Sequence, residues 1–168
     1  MLDGSQGSVF SSLRARLEPA IRRAMHLYWW FARGMTLGAR GIVIDAEGRV
    51  FLIRHTYVRG WHLPGGGVEN GETFVDALRR ELHEEGGIEL TAEPVLHGLF
   101  FNRHVSRRDH VAVYLIRSYR QEKLPEPNRE IAECGFFAPE NLPEGTTRGT
   151  RLRIREVLEQ RPAPPTWS

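Results

Sequence analysis

The chain is poor in cysteine and has no long apolar run. Its 168 residues include one cysteine, Cys134, which cannot form a disulfide within the chain, and no cysteine cluster suggests a zinc site. No apolar stretch approaches the roughly 20 residues that a membrane-spanning helix needs, and the N-terminus lacks the apolar core of a secretory signal. We therefore expect a protein of the reducing cytoplasm.

Neither sign of charge dominates the composition. The 23 Lys and Arg residues nearly balance the 21 Asp and Glu residues, so the formal net charge is only +2. This balance allows an anionic substrate without requiring nucleic acid, and we expect no stable nucleic-acid partner. The length is that of one main domain with a substantial core.

Residues 1–35 have a different residue pattern from the rest of the chain. Apolar residues recur at helical spacing from Leu13 to Trp29, with arginines between them, which predicts an amphipathic helix. We expect this N-terminal extension to cover its own domain or a second subunit, so that a homodimer is one expected assembly. Docking on a membrane surface is the less favoured alternative, and a mitochondrial presequence is a third.

Residues 36–160 have the pattern of an α+β domain, and residues 161–168 read as a tail. Two β-rich runs, ARGIVID and RVFLIRH, are joined by AEG and predict a hairpin. Two more strands are predicted in PVLHGLFFNRH and HVAVYLIRSYR, paired across VSRRD, and a short one near AECGFFA. Helices are predicted over Phe74–Glu85 and in RGTRLRIREVLEQR. Together these elements predict a mixed sheet with helices on its faces.

The stretch RRELHEEGG places three carboxylates, Glu81, Glu84 and Glu85, on one face at the end of the first predicted helix. Like charges repel at this spacing, and the negative end of the helix dipole disfavours them further. A hard divalent cation such as Mg²⁺ would offset that cost, because it prefers oxygen ligands. Arg80 pairs with Glu84 at i,i+4 and can hold a carboxylate in place. A solvated charged face is the alternative interpretation.

From Gly66 onward the sequence matches the pattern G-x5-E-x7-R-E-U-x-E-E-x-G-U, where U is a bulky aliphatic residue. This segment resembles the Nudix box, the signature of the Nudix hydrolases. The matched positions are Gly66, Glu72, Arg80, Glu81, Leu82, Glu84, Glu85, Gly87 and Ile88. The preceding WHLPGG resembles the family's W-x-L-P-G-G segment. The later FFAPENLP resembles another family element but departs from it at Phe136 and Asn141, where tryptophan and glutamate are common. The resemblance covers roughly residues 37–158.

The resemblance implies an α/β/α sandwich that hydrolyses a nucleoside diphosphate linked to another group. The implied cofactor is Mg²⁺ or Mn²⁺, which neutralises diphosphate oxygens and lowers the pKa of a bound water. By position, Glu81 and Glu85 are the expected metal ligands, with Glu84 as a third. The carbonyl oxygen of Gly65 is a further expected ligand.

The resemblance also implies catalytic and supporting roles for other residues. Arg80 and Glu72 are expected to support the loop and the helix. The general base stays open, because the family varies in where it keeps that residue. The candidates are Glu81, Glu84, Glu130 and Glu133.

The sequence leaves the identity of the substrate open. Candidate residues for contacting its phosphates or base are Arg54, His55, Arg59, Arg103, His104 and His110. The segment GTTRGTRLR lacks the asparagine with which some relatives read an oxidised guanine base. Three other functions stay open: a catalytically inactive Nudix-fold nucleotide-binding or regulatory module, an RNA-end pyrophosphohydrolase, and an isomerase of the isopentenyl diphosphate type. The intact glutamates argue against the first, and the position of Cys134 after the box argues against the last.

Overall fold

Residues 34–167 contain seven strands, two α-helices and one short 3-10 helix in the computed structural model, which describes these residues and Met25. In chain order the elements are β1 (Thr36–Val43), β2 (Val50–His55), α1 (Phe74–Gly86), β3 (Ile88–Leu90), β4 (Val95–Phe101), β5 (Asp109–Ile116), β6 (Tyr119–Gln121), β7 (Ile131–Phe137), the 3-10 helix Pro139–Asn141 and α2 (Arg148–Leu158). The two helices predicted within residues 36–160 are confirmed. The strands β3 and β6 are too short to have shown a pattern in the sequence.

The strands form three small sheets. A mixed sheet has the order β1-β5-β4, in which β1 runs parallel to β5 and β4 runs antiparallel to it. The strands β2 and β7 form an antiparallel pair, as do β3 and β6. The predicted pairing of the two strands on either side of VSRRD is therefore confirmed as β4 with β5.

The predicted hairpin of β1 and β2 is wrong as a strand pairing. The chain does turn at Asp45, whose carboxylate accepts the backbone N–H groups of Glu47 and Arg49. Only one bridge, between Ile44 and Val50, joins the two strands before each pairs with a different partner. The physical reason is that both faces of β1 and β2 are buried. Strands with near-continuous apolar runs lie between the layers of a fold, and not in hairpins with one solvent-exposed face.

Alternate residues of each central strand enter two different apolar clusters. From β1, Ala39 and Val43 pack in a first cluster with Leu78 and Leu82 of α1. Ile42 on the other face of β1 packs in a second cluster, which includes Ile154 of α2 as well as Trp61 and Phe100. The helices thus cover opposite faces of the strands, as the α+β layered class predicts.

The helix α1 has a well-defined start and end. Thr73 caps its N-terminus through a hydrogen bond from the Asp76 backbone N–H, and the Asp76 carboxylate accepts the Thr73 backbone N–H in return. At the other end Gly87 adopts a left-handed conformation with φ 60°, which ends the helix. Gln121 of β6 donates to the carbonyl of Gly86 at 2.6 Å. These contacts fix where the last turn, with its carboxylates, lies.

The segment that was predicted as a tail packs on the domain. Phe101 at the end of β4 forms a parallel bridge with Thr166, and Ala163 and Trp167 pack against the second cluster. Within the described part of the chain no helix is long and apolar enough to cross a membrane. The N-terminal amphipathic helix, apart from Met25, lies outside the described residues, so its role, the homodimer and the cytoplasmic location stay predictions.

Candidate active site

The glycine-rich loop at residues 65–67 runs alongside β1. The Ala39 backbone N–H donates to the Gly66 carbonyl at 2.9 Å, and the Gly41 N–H donates to the Pro64 carbonyl at 2.9 Å. Gly65 has φ 128°, and a Cβ at that position would overlap the carbonyl of Ala39. A Cβ at Gly66 would overlap the carboxylate of Glu81 on α1. The loop therefore needs glycine at position 65, whereas a side chain at position 66 would displace the Glu81 carboxylate.

The three carboxylates of α1 differ in their exposure. Glu85 is only 7% exposed and accepts a hydrogen bond of 2.6 Å from the backbone N–H of Gly65. The Glu81 carboxylate lies against Gly66 and is partly buried. Glu84 is the most accessible, with 58% of its side chain exposed. The helix thus presents one anchored, one partly buried and one open carboxylate beside the loop.

Arg80 forms hydrogen bonds to the glycine-rich loop, to Glu72 and to the acidic face of α1. Its guanidinium donates to both carboxylate oxygens of Glu72, at 2.9 and 3.1 Å, and to the carbonyl of Gly67 at 3.1 Å. It also donates to Glu81 at 2.7 Å, while its closest approach to Glu84 is 3.8 Å. The i,i+4 pair with Glu84 is thus the weakest of these contacts, and the guanidinium mainly holds Glu72 and Glu81.

Burial destabilises the ionised form of Glu85 more than its partners stabilise it. Burial raises its pKa from 4.5 to about 7, and the negative charges of Glu81 and Glu130 act in the same direction. The hydrogen bond from Gly65 and the charge of Arg40 oppose this rise. An added cation beside this carboxylate would stabilise its ionised form, as a bound metal would.

Arg40 is a residue of this site that the sequence interpretation missed. It lies on β1, and its guanidinium donates to the carbonyl of Gly65 and, at 3.3 Å, to the carbonyl of Leu63. The Gly65 carbonyl, expected as a metal ligand, therefore accepts a hydrogen bond from Arg40 in this structure. The available signal was an arginine inside the apolar run ARGIVID, where a charge must have a partner.

Two histidines lie beside Glu85 and Arg40. His55, a residue singled out from the sequence, has Nε2 at 3.8 Å from a Glu85 carboxylate oxygen, and its ring lies 5.9 Å from that of His62. Burial and then the charge of Arg40 lower the pKa of His55, and burial lowers that of His62. Both rings therefore favour the neutral form, which can accept as well as donate a hydrogen bond.

The remaining candidates are divided between the site and the surface. The negative charge of Glu130 helps to raise the pKa of Glu85. Glu133, in contrast, pairs with Arg54 at 2.8 Å on the exposed surface. Arg59 and Arg103 are exposed. His110 stacks on Phe101 with ring centroids 5.2 Å apart, and His104 lines the cavity described below.

The donor set fits a hard divalent cation. Carboxylates and a backbone carbonyl supply only oxygen, the ligand type that Mg²⁺ and Mn²⁺ prefer. Among residues 34–167 and Met25, no three His, Cys, Asp or Glu side chains are already close enough together to enclose a metal ion. The guanidinium groups of Arg40 and Arg80 contact the donor atoms of Gly65 and Glu81 instead. Glu85 contacts the loop at Gly65 and Glu81 contacts it at Gly66, so two of the three carboxylates already lie beside the loop.

A cavity of about 550 Å³ lies next to the glycine-rich loop. Its lining includes His55, which lies 3.8 Å from Glu85, and Gly66, which lies against the Glu81 carboxylate, so the cavity is next to the acidic face. Its other walls come from the start of β1, the turn before β5, the start of α2 and Trp167. The volume lies in the range of small-molecule sites and accommodates a single nucleotide derivative.

Comparison with known proteins defines the class to which this fold and site correspond. The family model described as NUDIX domain matches residues 35–159, which is most of the chain. The chain belongs to the NUDIX family. A crystal structure of a MutT NUDIX hydrolase from Burkholderia pseudomallei has a TM-score of 0.63 with this chain at 28% identity, covering 74% of this chain and 98% of that one. This match confirms the predicted fold class.

Two relatives with described activities match parts of the chain. An 8-oxo-dGTP diphosphatase of Proteus vulgaris is 33% identical over 92 residues, which is 50% of this chain and 78% of the relative. An m7GpppN-mRNA hydrolase of Xenopus laevis is 30% identical over 131 residues, or 64% of this chain. The chain spans only 43% of the length of the Xenopus relative.

Proposed function

We propose that this protein is a metal-dependent pyrophosphohydrolase that cleaves a nucleoside diphosphate linked to another group. The observation that carries the proposal is the buried carboxylate of Glu85. It is anchored to Gly65, has a raised pKa, and lies 3.8 Å from His55, which lines the cavity of about 550 Å³. A purely structural glutamate would gain nothing from such burial, because its charge is poorly compensated there. The names of the two matched relatives, a diphosphatase and an mRNA cap hydrolase, support the same class of reaction.

The metal site of the proposal consists of oxygen donors on α1 and the loop. Glu81, Glu84 and Glu85 would hold the cation, and the carbonyl of Gly65, which now accepts a hydrogen bond from Arg40, would be a further oxygen donor. Bound Mg²⁺ or Mn²⁺ supplies charge neutralisation for the diphosphate oxygens and a water of lowered pKa. Arg80 keeps the Glu81 carboxylate oriented through its 2.7 Å hydrogen bond, while Glu72 holds Arg80 from the other side.

The reaction is a hydrolysis whose atoms balance without a further reactant. Water attacks one phosphorus, the bond from that phosphorus to the bridging oxygen breaks, and the bridging oxygen leaves on the second phosphate. The attacking water loses its proton to a carboxylate. Glu84 is the most accessible acceptor on the helix, and Glu81 and Glu130 are the other candidates. Arg40 lies where its positive charge would contact the phosphates that enter the cavity.

The decisive experiment is a substrate screen with Mg²⁺ and with Mn²⁺. Nucleoside triphosphates, an oxidised deoxyguanosine triphosphate, ADP-ribose, UDP-sugars, dinucleoside polyphosphates and 5′-triphosphorylated RNA are incubated with the full chain. Release of phosphate, pyrophosphate or mononucleotide is then followed. Metal-dependent hydrolysis of at least one compound, lost in Glu85→Gln, is the expected result. Tight nucleotide binding without any turnover would instead identify an inactive binding module.

The same screen separates a small substrate from an RNA end. RNA binding to a strand needs a basic channel with exposed aromatic rings along several nucleotides. The cavity of about 550 Å³ suits one nucleotide derivative better than a strand. We therefore expect hydrolysis of a mononucleotide compound to be faster than that of the RNA.

A further inference from the structure

Trp167 forms part of the cavity wall. The Phe101 backbone N–H donates to the Pro165 carbonyl at 2.9 Å, and the Trp167 N–H donates to the Phe101 carbonyl at 3.1 Å. These two bonds attach residues 165–167 to the end of β4. Trp167 itself lines the cavity that Arg40 and His55 also line. A residue far from the box in the sequence thus reaches the cavity beside the candidate active site.

The indole of Trp167 is held in a defined position. It lies directly against Gly149 in the first turn of α2, where a Cβ would overlap the indole nitrogen. Arg153, only 1% exposed, donates to the carbonyl of Trp167 at 2.9 Å, and its guanidinium lies 5.5 Å from the indole centroid. Phe100 makes an edge-on contact with the indole at 5.9 Å between ring centroids. A ring fixed on several sides offers its remaining partly exposed surface as a rigid wall.

The cavity has both apolar and polar side chains in its lining. Three exposed side chains with apolar surface line it: Tyr57, at 70% exposure, Val58 and Val105, at 74%. Apolar walls together with placed polar groups are usual in a site for a small ligand. Among the lining residues, Arg40 beside the glycine-rich loop carries a positive charge, whereas Asp109 carries a negative one. The cavity therefore has one region suited to phosphate and another suited to a flat aromatic group.

We infer that Trp167 stacks against the base of a nucleoside diphosphate substrate. The inference rests on the proposed function, which assigns the diphosphate to the region of Arg40 and Gly66. Aromatic stacking tolerates any base, because every base has a π-face. Trp167 is accordingly a determinant of affinity for the nucleoside, and it takes no part in breaking the phosphate bond.

Binding measurements test this inference without any turnover. The probes are the α,β-methylene analogues of ADP, GDP, CDP and UDP, whose phosphorus–carbon bond replaces the bridging oxygen, and methylenediphosphonate, which has no nucleoside. Isothermal titration calorimetry with Mg²⁺ compares the wild type with Trp167→Leu and Trp167→Phe. We expect Trp167→Leu to weaken the tightest nucleoside analogue by about 5- to 150-fold, as loss of one stacked ring does. Trp167→Phe should retain most of the affinity, and methylenediphosphonate should bind all three proteins equally.

The matched control is Pro165→Ala on the same segment. Pro165 is exposed, and its backbone carbonyl keeps the bond from Phe101 after the substitution. This variant should bind every probe as the wild type does. Unchanged nucleoside affinity in Trp167→Leu would overturn the inference, as would an equal loss for methylenediphosphonate. Wild-type protein that binds no nucleoside analogue tighter than methylenediphosphonate would also overturn it.

The outcomes for the inference and for the proposed function are distinguishable. If the wild type hydrolyses no compound of the screen but Trp167→Leu loses nucleoside affinity, the base-binding role is supported and the hydrolase is refuted. If the wild type hydrolyses a compound but Trp167→Leu keeps its nucleoside affinity, the hydrolase is supported and the base-binding role is refuted. In an active enzyme the inference further expects a higher KM in Trp167→Leu with little change in kcat, because stacking acts on binding and not on the chemical step.

Discussion

The backbone N–H of Gly65 donates a hydrogen bond of 2.6 Å to a carboxylate oxygen of Glu85, and this bond joins the glycine-rich loop to the last turn of α1. Burial still raises the pKa of Glu85 to about 7, so one backbone hydrogen bond does not compensate its charge. The loop and the helix are thereby held in a geometry that a bound cation would stabilise. Several measurable consequences depend on this relationship.

Replacing Glu85 by glutamine should lower kcat while leaving the fold intact. The amide oxygen can still accept the Gly65 hydrogen bond, but one charged metal ligand is lost. We expect a fall of about 100-fold or more, the scale on which single electrostatic groups act in transition states. Steady-state kinetics in saturating metal and circular dichroism check the two parts. The control is Glu89→Gln, which affects only an exposed pair with Arg120; near-native turnover in Glu85→Gln would refute the ligand assignment.

The raised pKa of Glu85 predicts a pH dependence of stability in the metal-free protein. With a folded-state pKa of about 7 against an ordinary 4.5, the folded state holds this proton more tightly than the unfolded state. The resulting stabilisation is complete below pH 4.5 and is lost as the pH rises through 7. Its full size is about 3 kcal/mol at most.

Urea unfolding of the wild type and Glu85→Gln in chelator, from pH 4.5 to 8, measures this effect. Relative to the wild type, Glu85→Gln should gain unfolding free energy across that range, because it lacks the group that becomes charged. His55, whose pKa burial lowers, is present in both proteins and largely cancels in the difference. Parallel stability profiles of the two proteins would contradict the prediction.

Divalent metal should stabilise the folded protein through the same carboxylates. A cation that binds only the folded state at a concentration 100-fold above its Kd adds about 2.7 kcal/mol. Thermal unfolding with millimolar Mg²⁺ or Mn²⁺ should therefore show a higher Tm than in chelator, and Glu85→Gln should show a smaller shift. An equal ionic strength of potassium chloride is the control. Full activity in excess chelator would exclude the metal-dependent mechanism.

Gly66 and Gly67 provide a matched pair for testing the contact between loop and helix. A Cβ at position 66 would overlap the Glu81 carboxylate, whereas a Cβ at position 67 would meet no atom within 4 Å. We expect Gly66→Ala to displace Glu81 and lower kcat by about 100-fold, as small misplacements of catalytic groups do. Gly67→Ala should keep wild-type kinetics. Equal effects of the two substitutions would show that the loop is sensitive to any side chain.

The parts of the structure that the sequence predicts well are those with local signals. The helix α1 has an apolar stripe, a Thr73 cap and a glycine stop, so its bounds follow from neighbouring residues. The acidic face of the candidate site follows from the same helix periodicity, because Glu81, Glu84 and Glu85 lie within two turns. The Nudix-box pattern also includes Gly66, which lies in the loop beside these carboxylates.

The parts that the sequence does not predict depend on contacts between distant segments. Pairing of β1 with β5 links residues such as Thr36 and Asp109, and no local pattern encodes that choice over a hairpin. Arg40 contacts Gly65 across two elements. Trp167 reaches the cavity only because Phe101 pairs with its segment. Such residues are found from the fold, not from spacing along the chain.

The buried guanidinium of Arg153 should contribute strongly to stability. It pairs with the carboxylate of Glu156, which His97 also contacts at 3.1 Å, and it lies 4.0 Å from the ring centroid of Phe100. Arg153→Met keeps much of the apolar stem but leaves the buried Glu156 charge without its arginine. We expect a loss of about 3–5 kcal/mol in the free energy of unfolding, which is typical when one partner of a buried ion pair is removed.

Urea unfolding of Arg153→Met, with Arg155→Met as the control, measures this contribution. Arg155 lies on the same helix but is exposed, so its replacement should change stability little. The double variant Arg153→Met/Glu156→Gln should recover part of the loss, because the uncompensated charge is gone. Since Arg153 also holds the carbonyl of Trp167, the single variant should weaken nucleoside binding in proportion to how far the segment detaches. A stability equal to that of Arg155→Met would show that water reaches and solvates this ion pair in solution.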